Sequence, residues 1–97
     1  MLEYLIRRTD GEWFSFPFAQ YLEILRPART PSTKIEGWGS NRIEVDGETI
    51  AFSDEDPGFQ VIFETGILTE QRAAQIISEI CENIEAQTGE KAGAVKL

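Results

Sequence analysis

Arg42-Ile43-Glu44-Val45-Asp46-Gly47-Glu48-Thr49-Ile50-Ala51-Phe52 is the stretch whose pattern decides the fold. Runs of alternating apolar and polar residues flank Asp46-Gly47, and a type I′ turn needs positive φ at both central positions, which Asp-Gly tolerates. Closing the chain there sets Val45 opposite Glu48 and Ile43 opposite Ile50 on one face. Glu44 then meets Thr49, and Arg42 meets Ala51, on the other. A slip of one residue would turn every apolar side chain to the wrong face, so pairing and alternation agree on one register. Beyond a polar turn at residues 53–58, residues 59–64 predict a third strand with Phe59, Val61 and Phe63 on one face. Ile62 on the other face implies a strand that is central or covered on both sides.

Residues 69–88 change to the period of a helix. Ala73, Ile76, Ile77, Ile80 and Ile84 form one stripe, widened by Ala74 and Cys81, while Arg72, Gln75, Glu79, Glu82 and Asn83 lie opposite. Thr69 can cap the first amides, Glu70 suits the positive end of the helix dipole, and Gly89 suits the left-handed residue that closes a helix. In the tail that follows, Ala94, Val95 and Leu97 supply a candidate edge strand.

Upstream, Leu2 to Ile6 and Trp13 to Phe16 flank Asp10-Gly11 and predict another hairpin, with Leu5 opposite Phe16 on its core face. Phe18, Tyr21, Leu22 and Leu25 recur at helical spacing, with Pro17 in the first turn and Pro27 as the stop. Residues 27–41, with their prolines and glycines, predict a long loop whose Trp38 sits between Gly37 and Gly39. The expected fold is α+β over a single domain, residues 1–97. An antiparallel sheet of about five strands, two Asp-Gly hairpins plus one further strand, packs against the long C-terminal helix, with a short helix near residues 17–25.

The chain has 97 residues, 41% of them hydrophobic and 10% aromatic, which suffices for one core without staples. It contains no histidine and one cysteine, Cys81, which removes Ser/His/Asp and Cys/His catalysis, tetrahedral Cys/His zinc sites and any intrachain disulfide. With no long apolar run and no basic, apolar leader at Met1 to Tyr4, a reducing cytoplasm is the expected location and no membrane contact is expected.

Charge is unevenly placed. The balance is +1 over residues 1–43 and −9 over residues 44–97, for a net −8. Such a surface repels nucleic-acid phosphates and attracts basic proteins. The function this implies is a small, acidic, non-enzymatic module that acts through protein contacts without a cofactor. Candidate contact residues are Glu79, Glu82 and Glu85 on the helix, together with Trp38 and Trp13. A twofold homodimer is expected as well, because one long helix cannot cover both faces of the sheet. The alternative is a carboxylate-dependent metal-binding protein or small enzyme. Asp54-Glu55-Asp56 is its one local cluster, although this turn lacks the glycine and terminal glutamate of an EF-hand loop.

Overall fold

In the computed structural model, residues 2–35 and 41–97 are described. Six antiparallel strands form one sheet: β1 (Leu2–Arg8), β2 (Thr33–Ile35), β3 (Arg42–Val45), β4 (Glu48–Glu55), β5 (Gly58–Phe63) and β6 (Ala92–Lys96), in the order β2-β3-β4-β5-β1-β6. Helix α2 (Glu70–Thr88) lies on one face. Beside it a 3₁₀ turn at Phe18–Gln20 runs into the short α1 (Tyr21–Ile24).

The β3–β4 hairpin forms in the predicted register, Arg42 with Ala51, Ile43 with Ile50, Glu44 with Thr49 and Val45 with Glu48. Its turn takes positive φ at both central residues, 52° at Asp46 and 81° at Gly47. Thr69 caps α2 by accepting a hydrogen bond from the Arg72 amide at 3.1 Å, and Gly89 closes the helix with a φ of 76°. All of these are local devices, so the sequence alone specifies them.

The first hairpin does not form. Asp10-Gly11 turns the chain, with the Gly11 amide donating to Arg8 O at 3.1 Å, but residues 12–16 pair with no strand. Both edges of β1 are already taken, by β5 on one side and β6 on the other. The six-residue β5 and the five-residue β6 outcompete the shorter, aromatic-rich 13–16 segment, which instead folds across the end of the sheet. The second departure is β2, which forms inside the expected loop and pairs Ile35 with Arg42 and Thr33 with Glu44.

Register and alternation place Tyr4, Ile6, Ile43, Val45, Ile50, Phe52, Phe59, Val61 and Phe63 on the face beneath α2. They close a core with Ala73, Ile76, Ile77, Ile80 and Ile84 of the helix and with Phe16, Ile24 and Leu25. On the opposite face Leu5, Ile35 and Ile62 are half-buried among polar groups. There Gln60 donates to Glu3, and Arg42 is bridged to Glu64 at 2.7 Å.

Gly58, the first residue of β5, lies directly against the backbone of β1. A Cβ added there would sit 1.9 Å from the carbonyl oxygen of Ile6, and backbone on that side has nowhere to retreat inside a paired sheet. Gly58→Ala is expected to remove about 3 kcal/mol or more of stability. Gly93→Ala, whose Cβ would meet only the Thr9 methyl at 3.7 Å, stays within about 0.5 kcal/mol of wild type. Urea midpoints of the two variants check this contrast.

Candidate functional site

The residues expected to meet a partner are distributed unequally. Trp13 is 57% exposed, whereas Trp38 lies outside the described residues. On α2, Glu85 is exposed and Glu82 is exposed but bridged to Arg29. Glu79 is not a surface group at all: it is 1% exposed. Helical period does put Glu79 on the polar flank, but the segment after Pro27 folds over that flank and buries it. One carboxylate oxygen accepts from the amides of Arg29 and Thr30, both at 2.8 Å, and the other accepts from the Thr30 hydroxyl at 2.9 Å. Asn83 extends the same seam, its side-chain amide donating to Ile24 O at 2.9 Å. Glu79 is therefore a clamp for the chain leading into β2 and leaves the set of candidate partner contacts.

Burial alone would raise the pKa of Glu79. The two backbone amides, the Thr30 hydroxyl and the charge of Arg29 more than offset it, so the carboxyl lies below its ordinary value of 4.5. Glu48 is the second buried acid. It sits on the core face opposite Val45 and accepts from the Thr65 amide at 2.7 Å and from the Thr65 hydroxyl. Its other oxygen has no hydrogen-bond partner among the described residues.

Trp13 stands at the edge of an aromatic cluster. Phe59 is the hub: Phe14 and Phe16 stack on it at ring-centroid distances of 5.6 and 5.7 Å, and Tyr21 meets it edge-on at 5.0 Å. Most of the N-terminal aromatic surplus is thus core cover, with Trp13 left in water. The backbone that presents Trp13 is pinned by Arg8, which donates to Trp13 O and to Glu90, each at 3.0 Å. Glu90 in turn accepts from the amide and hydroxyl of Ser15. The sequence gives no sign of this network, because Glu90, which joins it, lies more than 70 residues along the chain from Arg8 and Ser15.

The same corner holds the acidic turn. Trp13, Tyr21, Asp54 and Pro57 line a small niche of about 30 Å³. Tyr21 donates a hydrogen bond to Asp54. Burial, this bond and the carboxylate's charge, in that order, raise the phenol's pKa above its ordinary value. Asp54, Glu55 and Asp56 have no ion-pair partner among the described residues, so the turn carries unneutralised charge beside an exposed indole. Among the described residues no three Cys, Asp or Glu side chains converge as a metal site. Partial burial, and after it the charge of Glu82, push the pKa of the half-buried Cys81 thiol up to about 11, so it is protonated at neutral pH and a poor nucleophile.

The Glu79 clamp has a pH signature. A folded-state pKa below the unfolded one means that the stabilisation is present above the unfolded value and is lost as pH falls through the folded one. Wild-type stability is expected to drop in the acid range below 4.5, and Glu79→Gln, which keeps an acceptor for the amides, to flatten that limb. Glu79→Ala leaves buried donors unpaired and is expected to cost about 3 kcal/mol at neutral pH. Urea titrations at stepwise pH measure both. Comparison of the chain with protein-family models, with curated proteins and with solved structures found no match.

Proposed function

We propose that this protein is a non-enzymatic binding module that works in a reducing cytoplasm through contact with a basic protein. The supporting observation is the corner where exposed Trp13 stands beside the unbridged turn Asp54 to Asp56. Aromatic side chains are enriched at protein interfaces, and a Lys or Arg side chain suits such a corner because it can lie against the indole while its charge meets the carboxylates.

The ion pairs add a reason for the sign of the partner. Seven of the nine cations, Arg8, Arg26, Arg29, Lys34, Arg42, Arg72 and Lys96, are bridged internally. Among the described residues the surplus acids Glu12, Glu44, Glu55, Asp56 and Glu85 are left facing solvent. No helix in the described residues is long and apolar enough to cross a membrane. Self-association is a separate proposal, favoured by the half-buried Leu5 and Ile62 on the face away from α2, and sedimentation at micromolar concentration tests it.

Affinity capture from the source cells, with wild type, Trp13→Ala and the double variant Asp54→Lys, Asp56→Lys, tests the corner. The expected result is a partner of high isoelectric point that wild type retains and both variants lose. An unchanged partner set would remove this corner from the interface. Calorimetric titration with Ca²⁺ and Mg²⁺ separates the metal-binding alternative, which requires heat that Asp54→Asn with Asp56→Asn abolishes.

A further inference from the structure

A second surface, using none of the corner's residues, is built around β6. The bonds at the ends of its pairing with β1 fix which backbone groups are free. The Thr9 amide donates to Lys91 O at 3.0 Å and the Leu97 amide donates to Glu3 O at 2.9 Å. In an antiparallel ladder this parity alternates, so residues 91, 93, 95 and 97 turn their N–H and C=O toward β1. Ala92, Ala94 and Lys96 turn theirs outward, and β6 is the last strand of the sheet on that side.

The side chains of this edge are as unusual as its backbone. Lys91 and Lys96 flank an uncharged run, and protective lysines at its centre, the common defence of an exposed edge, are missing. Ala94 lies opposite Ile6 and Ala92 opposite Arg8, so both alanines face α2. Because these side chains are small, helix and strand do not close on each other. A groove of about 350 Å³ remains, walled by Tyr4, Ile77, Ser78, Cys81 and the alanines. On the other face of β6, Val95 is 46% exposed, and Leu97 just beyond the strand is 64% exposed.

We propose that β6 is a strand-addition site that takes an extended segment of a partner protein, apolar at alternate positions and basic at one end. A strand added about 4.8 Å beyond β6 would bond to Ala92, Ala94 and Lys96 and send every second side chain into the groove. A second copy of this chain is a poor occupant: twofold pairing through β6 sets alanines beside alanines and leaves both grooves unfilled. Larger apolar side chains fill them. Charge complementarity gives the occupant its basic end. Glu85 lies one helical turn beyond Cys81 on the groove flank, exposed and without an ion pair among the described residues. Glu70, on the same flank at the other end, is already bridged to Lys96.

The test uses a labelled synthetic decapeptide with valine at alternate positions, threonine between them and lysine near one end, followed by fluorescence anisotropy and amide exchange. Binding to wild type is expected, with slowed exchange at the Ala94 and Lys96 amides. Ala94→Pro removes a single N–H that faces solvent in the free protein, so folding is retained while peptide affinity falls about tenfold. Ser78→Leu fills the groove from the exposed flank of α2 and is expected to weaken binding similarly, which keeps the test valid if the proline variant fails to fold. Glu85→Lys weakens the lysine peptide and leaves its threonine-substituted counterpart unaffected, while Trp13→Ala changes neither. Absence of binding to wild type, equal binding to Ala94→Pro and Ser78→Leu, or loss of binding with Trp13→Ala would each overturn the proposal. So would a wild-type dimer that Ala94→Pro dissociates, since the occupant would then be a second copy.

Discussion

One helix has to cover a face six strands wide, and this mismatch organises the molecule. At about 4.8 Å between neighbours the sheet spans about 24 Å across its strands, whereas a helix with its side chains is about 10–12 Å thick. Helix α2 runs closest to β1 and β6, so the β4 and β5 side of the same face would lie open without a second layer. The chain between β1 and β2 supplies that layer. Phe14, Phe16 and Tyr21 gather on Phe59, while Ile24 and Leu25 complete the buried cluster. An aromatic content that looks excessive for one sheet and one helix is the material from which the second layer is made.

Such a layer has little regular structure to hold it, and polar anchors do the holding. Arg8 and Glu90 fix its beginning, Asn83 caps the carbonyl of Ile24, and Glu79 binds the amides that follow Pro27. Each anchor joins an early segment to α2 or to the turn after it. The uneven charge of the sequence is partly internal complementarity of this kind, since Arg8, Arg29 and Arg42 of the first part meet Glu90, Glu82 and Glu64 of the second. Among the described residues the unbridged acids outside the core, Glu12, Glu44, Glu55, Asp56 and Glu85 among them, face solvent and give the surface its sign.

The same geometry leaves two places where the fold is chemically unfinished. At one corner an indole remains in water beside an unneutralised acidic turn. At the β6 edge, helix and strand are separated by small side chains, and backbone groups point outward with no strand among the described residues to receive them. Both places offer what recognition of another chain uses: apolar surface, directional hydrogen bonds and charge of one sign.

What the sequence determined by itself were the elements governed by neighbours in the chain. The β3–β4 register follows from Asp46-Gly47 and strict alternation, and the ends of α2 follow from Thr69 and Gly89. The class of the fold is legible from these two elements, and Trp13 and the 54–56 turn are legible as separate features. Tertiary structure decided where segments compete or cover one another. Asp10-Gly11 has the same local signal as Asp46-Gly47, yet β5 and β6 occupy both edges of β1 and no hairpin can form there. Glu79 lies on a polar flank by period and is nevertheless buried, because donors about 50 residues away fold onto it. Local chemistry sets a turn or a cap from within a few residues, whereas the partner of a strand edge or of a carboxylate depends on every other segment that can reach it.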